Sequence, residues 1–163
     1  MTISTDLFRQ TMSLFPGAVT LVTVGQGDGR RGITATAVCS VTDTPPSLLV
    51  CVNRATDTCT EITRLKSFSV QLLDHTSDDI ALAFAGAAGL RGAQKFSVGA
   101  WEETDSGLPQ LTTAVASVCC EVSSYNDVGS HRVFIGEIID SALEVGDALI
   151  YARAQFGRAQ ATL

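Results

Sequence analysis

Hydrophobic positions recur along this chain with two different periods, and the switches between them mark its elements. From residue 5 to 15 the apolar side chains Phe8, Met12 and Phe15 fall at i, i+4 and i+7, which predicts a helix ended by Pro16-Gly17. β-Branched residues then dominate 18–24, a predicted strand, and 25–32 (GQGDGRRG) reads as a turn before a second strand over 33–41. Pro45-Pro46 breaks the chain ahead of a strand at 48–52. Asp57 is the candidate cap of a short helix to about residue 65, and 67–73 alternates as a half-buried strand does. Another helix is expected over 77–85, with Ile80, Ala83 and Phe84 on one face. The glycine-rich stretch 86–107 has no clean period and reads as irregular or mobile. Two long β-rich segments, 112–125 and 131–143, flank a turn at 126–130, and a last strand is expected at 149–154.

Strands mostly follow strands directly, so the pattern predicts a mainly β fold: a closed barrel with a few short helices, in one domain spanning 1–163. A parallel α/β sheet would need helices in regular alternation. Hydrophobic residues make up 45% and charged residues 17%, which excludes a disordered chain. A net charge of -6 argues against nucleic acid or an anionic membrane surface as partner. No apolar run approaches the roughly 20 residues of a membrane span. Residues 1–10 lack the basic start and apolar stretch of a secretory signal, so the expected location is the cytoplasm.

The five cysteines, Cys39, Cys51, Cys59, Cys119 and Cys120, are odd in number and form no CxxC pair, so no disulfide framework is expected. All but Cys59 stand in apolar, β-branched surroundings that suit a small hydrophobe. His75 and His131 are the only imidazoles and lack zinc-ligand spacing, so no metal is expected. Cys39 or Cys51 with His131 stays open as a nucleophilic pair, without a supporting motif. Gly25-x-Gly27-x-Gly29 imitates a dinucleotide fingerprint, but the third glycine's place is taken by Arg30 and a β-branched strand follows where a helix is required.

Other features have a local chemical reading. Thr34, Thr36, Ala37, Cys39 and Ser40 are small, and a strand so built lets a flat ring approach its backbone amides; it would equally pack against a helix. Asn53, Arg54, Thr56 and Thr58 precede or open a helix and offer hydroxyls, a guanidinium and free amides to a phosphate, or form a solvated cap. Tyr151, Arg153 and Phe156 offer a stacking surface and a cation, or a barrel strand with an exposed charge.

The block from Gly32 to Asn53 (GITATAVCSVTDTPPSLLVCVN) resembles the short-chain flavin reductase family, and within it the reductase components of two-component 4-hydroxyphenylacetate monooxygenases. Phe84-Ala85-Gly86, Lys95-Phe96, Gly129-x-His131 leading into Val133-Phe134-Ile135-Gly136-Glu137, and Ile150-Tyr151-x-Arg153-x-x-Phe156 match in the same order. The resemblance implies a split β-barrel homodimer that passes hydride from NADH, with NADPH less favoured, to FAD or FMN. It implies release of reduced flavin to a separate oxygenase. Carried over residue by residue, it assigns flavin contacts to Thr34, Ala35, Thr36, Ala37, Val38, Cys39, Ser40, Asn53, Arg54, Thr56, Thr58, Phe84, Lys95 and Phe96. NADH contacts fall to His131, Tyr151, Arg153 and Phe156. Two positions depart from the family: Ser130 where many relatives have aspartate, and Ala55 where relatives have serine. Hydride transfer between bound rings needs positioning rather than a protein acid, base or nucleophile. A non-enzymatic flavin-binding or storage role on the same barrel is the alternative.

Overall fold

The computed structural model of the chain describes residues 1–159. Helix α1 (Thr5–Met12) is capped by Ser4 and leads into the short strand β1 (Gly17–Ala18). Strands β2 (Thr20–Val24) and β3 (Arg31–Ala35) form a hairpin whose connection holds a single 3-10 turn at Gly27–Gly29, as its glycines require. The predicted strand over 33–41 is broken: β3 stops at Ala35, Thr36 and Ala37 bend, and β4 (Val38–Asp43) begins afresh. β5 (Pro46–Asn53) follows, then helix α2 (Asp57–Leu65), strand β6 (Ser67–Leu72) and helix α3 (Asp78–Phe84). The cap of α2 is Thr56 and not Asp57: its Oγ1 accepts from the amide of Cys59 at 3.2 Å.

The glycine-rich stretch is less irregular than its sequence. It contains a 3-10 turn at Gly92–Ser97 and the first strand of the small hairpin β7 (Trp101–Glu103) and β8 (Pro109–Leu111). β9 (Ala116–Val128) and β10 (His131–Leu143) are the long strands, joined by Gly129 and Ser130 alone. The final predicted strand is a hairpin, β11 (Leu149–Ala152) and β12 (Gln155–Arg158), turning at Arg153 and Ala154.

Seven strands make one antiparallel sheet in the order β3-β2-β6-β9-β10-β5-β4. β3 and β4 are neighbours in the chain and yet occupy its two opposite edges, with only Thr36 and Ala37 between them. From Ala35 to Val38 is three residue steps, at most about 11 Å, so the sheet must curl until its edges approach there. The result is a split barrel and not the closed one expected from strand order, because β3 and β4 are not hydrogen-bonded to each other. Alternation along β2 supplies two cores. Val22 and Val24 pack with Phe68, Phe134 and α2's Ile62, while Leu21 joins α3's Ile80 and Phe84 in the second. Helices α2 and α3 both pack on β3, and the groove between them follows that strand.

Candidate active site

Three adjoining hollows run along β3 and share its residues. The middle one, about 480 Å³, is bounded by Thr34–Ala37, by Asn53 and His131, and by Phe84, Ala85 and Lys95. At one end lies an apolar hollow of about 260 Å³, which shares Thr34, Ala35, Thr36 and Ala85 and adds Tyr151 and Phe156. At the other end a hollow of about 530 Å³ shares Ile33, Thr56 and Lys95 and adds Arg31, Arg91 and the start of α2. Each end or centre is of a size for a piece of a larger ligand, and together they suit one or two extended molecules.

The floor carries only small side chains, and its strand ends there. Thr34 is held down by donating its hydroxyl to the carbonyl of Ala81 in α3 at 2.6 Å. Ala37 has its carbonyl bound to the amide of Cys51 at 3.0 Å, which fastens the bend to β5. Asn53 and His131 face each other in register on β5 and β10, and both border the middle hollow. The Asn53 Oδ1 accepts from the Ala55 amide at 2.9 Å, shaping the approach to α2. Thr56 donates to the Asn53 carbonyl at 2.7 Å while capping α2, so the hydroxyl expected to face a phosphate is occupied by the helix. The groove is offered the first turn of α2, with Asp57 and buried Thr58 on its wall.

Lys95 stands where the middle and cationic hollows meet, donating to the carbonyls of Gly32 at 3.0 Å and Phe84 at 2.9 Å. Burial pulls its ammonium below the usual lysine range, with Asp57 acting against that. Arg31 reaches the same wall, 3.9 Å from the Asp57 carboxylate.

Several expected contacts lie elsewhere. Val38 packs into the core, and Cys39 and Ser40 are exposed on edge strand β4, because the bend at Thr36–Ala37 ends the small-residue row after four positions. Cys39 is therefore not the packed hydrophobe its neighbours suggested. Phe96 is buried edge-on to Phe84 and Trp101, with the Arg30 guanidinium over its face, and sits behind the groove wall. Arg54 turns away to Asp127, at 3.3 Å, and to the Gly129 carbonyl. Arg153 stands at the tip of the β11–β12 turn with φ of 54°, its amide donating to Ser13. Arg31 and Arg91, and not Arg54, line the hollow at the start of α2; the basic pair Arg30-Arg31 ahead of a small-residue strand in an acidic chain was the available signal for Arg31. Cys51 and His131 do share the middle hollow, but burial and Cys39 push the Cys51 thiol up, away from the thiolate a nucleophile needs.

Residues 12–160 match the family described as flavin reductase like domain. The chain belongs to that family. Among relatives of this flavin reductase-like chain, the 4-hydroxyphenylacetate 3-monooxygenase reductase component of Pseudomonas aeruginosa is 36% identical over 154 residues, covering 94% of this chain and 91% of that protein. An FMN reductase (NADH) of Pseudomonas syringae is 38% identical over 157 residues, covering 96% and 85%. The structure of an NADH:FAD oxidoreductase from Streptomyces globisporus superposes with a TM-score of 0.89 at 27% identity, over 100% of this chain and 99% of that one. The split barrel is thus the family's fold, and the groove along β3 brings Arg31, Arg91 and Lys95 beside the small side chains of this flavin reductase-like chain.

Proposed function

We propose that this protein is an NADH:flavin oxidoreductase that reduces FMN or FAD and releases it to a separate oxygenase component. The observation that carries the reading is the run of adjoining hollows along β3: a floor of small side chains at Thr34–Ala37, a cationic end at Arg31, Arg91 and Lys95, and an aromatic end at Tyr151 and Phe156. These residues fit the two ligands. Small side chains admit an isoalloxazine face, and arginines with a helix N-terminus suit anionic phosphates. When both are bound, the flavin takes a hydride from the nicotinamide. The protein's own residues then have three tasks: to align the rings, to neutralise phosphate charge and to keep water out. Relatives of near-equal identity are named as a monooxygenase reductase component and as an FMN reductase (NADH), and reduction of a flavin by NADH is the reading that accommodates both names.

We further propose that the protein works as a homodimer. Its accessible surface, 9358 Å², exceeds the roughly 7,800 Å² that surface scaling gives a compact monomer of this mass. Leu7, Phe8, Met12, Leu14 and Phe15 are all exposed on or just after α1. All five thiols are free, which suits a reducing cytoplasm.

The test is NADH consumption by purified protein with FAD, with FMN and with neither, repeated with NADPH. Flavin-dependent consumption of NADH supports the reading. Tight flavin binding with no turnover would establish the storage role in its place.

A further inference from the structure

The turn that carries His131 is fastened more firmly than a two-residue hairpin tip requires. Gly129 takes φ of 56°, and Ser130 completes the turn. From one side Arg54 holds its backbone. The Arg54 amide donates to the Ser130 carbonyl at 2.9 Å, and its Nη1 donates to the Gly129 carbonyl at 3.3 Å. The Arg54 guanidinium is in turn anchored 3.3 Å from the Asp127 carboxylate. Arg132 grips the same carboxylate in a two-point contact, at 2.6 and 3.0 Å, and reaches Thr63 of α2 at 2.8 Å. The tip of the β9–β10 hairpin is thereby tied to the β5–α2 connection, which also walls the groove.

From the other side Ser130 holds the ring. Its hydroxyl lies 2.9 Å from His131 Nδ1 and has no other described partner. The imidazole borders the middle hollow. With Nδ1 engaged by the neighbouring hydroxyl, Nε2 is the nitrogen left to meet a ligand.

We infer that Arg54 and Ser130 are positioning residues for His131: the Arg54 guanidinium locks the Gly129 carbonyl of a turn whose Ser130 carbonyl its amide already holds, Ser130 engages the ring, and together they present Nε2 to the nicotinamide half of NADH. The inference rests on the proposed NADH contact of His131. It gives Arg54 a different task from the phosphate contact its sequence context suggests, and the two tasks move different constants. The Arg54–Asp127 pair is largely exposed, with side chains 50% and 35% accessible, and such pairs add little stability, so Arg54 variants stay folded.

The experiment titrates NAD⁺ and oxidised flavin separately by calorimetry into wild type, Arg54→Ala, Ser130→Ala, Ser130→Thr, His131→Ala and the Ser130→Ala/His131→Ala double variant. Loss of one positioning hydrogen bond weakens NAD⁺ binding about three- to tenfold in Arg54→Ala and Ser130→Ala, with the flavin dissociation constant unmoved. Ser130→Thr restores it. In the His131→Ala background Ser130→Ala adds nothing, since its effect passes through the ring. The chain has 2 histidines, so His131→Ala assigns the ring ¹⁵N resonances; Ser130→Ala shifts the Nδ1 resonance of His131 and leaves that of His75 unmoved. Weaker flavin binding with unchanged NAD⁺ binding in Arg54→Ala overturns the inference, as does an undiminished Ser130→Ala effect without His131 or a silent His131→Ala. None of these results touches flavin reduction itself, which fails only if wild type does not oxidise NADH with flavin present.

Discussion

The ammonium of Lys95 lies 2.9 Å from the main-chain oxygen of Phe84, the last residue of α3. The same nitrogen reaches the Gly32 oxygen, so one side chain joins the 3-10 turn, the end of α3 and strand β3 beneath the groove. Lys95→Met keeps the aliphatic stem and removes the donor. It leaves two half-buried carbonyls without their partner and lowers unfolding free energy by about 1–3 kcal/mol. Because Lys95 also borders both polar hollows, flavin binding weakens more than NAD⁺ binding. Urea unfolding and the two titrations check both parts.

Two glycines permit close packing that a methyl group would block. A Cβ at Gly32 would come 2.7 Å from the Phe84 ring, and one at Gly136 would come 2.6 Å from the Phe68 ring and 2.8 Å from Cys120. Both neighbours are buried aromatic side chains with nowhere to retreat. Gly32→Ala and Gly136→Ala each destabilise by about 1–3 kcal/mol. Only Gly32→Ala, which displaces the wall residue Phe84, also weakens flavin binding; equal effects on binding would show that the groove does not depend on Phe84.

Asp127 gives the turn a defined acid response. Its hydrogen bonds from Arg132 hold the carboxyl below the usual carboxylate range, and the charges of Arg132 and Arg54 act the same way. A folded-state value below the unfolded one means that the stabilisation is complete above the ordinary aspartate range. It disappears as pH falls through the depressed value. The difference in urea midpoint between wild type and Asp127→Asn therefore stays constant near neutrality and shrinks only at acid pH. A difference that changed between pH 6 and 8 would assign the response to another group.

The long strands and the helices were legible because each satisfies one period over many residues: β10 and α2 fall where their patterns place them. β9 starts four residues later than expected and continues through 126–128, which read as turn, because those residues pair with 131–133 of β10. The break at Thr36–Ala37 was not, since both halves carry the same small and β-branched residues. What interrupts the strand is its pairing: β3 bonds to β2 while β4 bonds to β5 across the sheet's other edge. Ser69 and Gln71 read as the solvent side of β6, yet both are buried. The β7–β8 hairpin covers them and offers the Pro109 carbonyl, at 2.7 and 2.9 Å. Of the residues expected to meet a ligand, Thr34, Thr36, Ala37 and Asn53 from their local chemistry and Ala35 and His131 from the resemblance all border the middle hollow. Arg54 misled because the carboxylate that captures it, Asp127, is distant in sequence and next to it only through the β10 pairing.

The exposed apolar residues of α1 supply the test of the dimer. Phe8 is 53% and Phe15 64% accessible, and no residue of α1 is buried. Phe8, Met12 and Phe15 recur at helical spacing and are all exposed, so they form the apolar face that the proposed dimer would cover. Phe8→Asp combined with Phe15→Asp removes it without touching either core, so sedimentation velocity shows a dimer for wild type and a monomer for the double variant. A wild-type protein that sediments as a monomer ends the proposal.

The proposed ring site depends on a floor of small side chains, and Ala37 tests it most directly. Its side chain is exposed at the bend, so a larger one projects over the floor rather than into either core. The backbone tie from its carbonyl to Cys51 is indifferent to side-chain identity. Ala37→Leu therefore leaves thermal stability within about 0.5 kcal/mol, as surface substitutions do. In the groove it occupies the space of a ring face, and rigid overlap of that kind costs about 1–3 kcal/mol, which is about five- to 150-fold in flavin affinity. Ala37→Ser, nearly isosteric, separates size from polarity and keeps wild-type affinity. If Ala37→Leu binds flavin as wild type does, the ring lies elsewhere and the floor at Thr34–Ala37 is only the seam of the barrel.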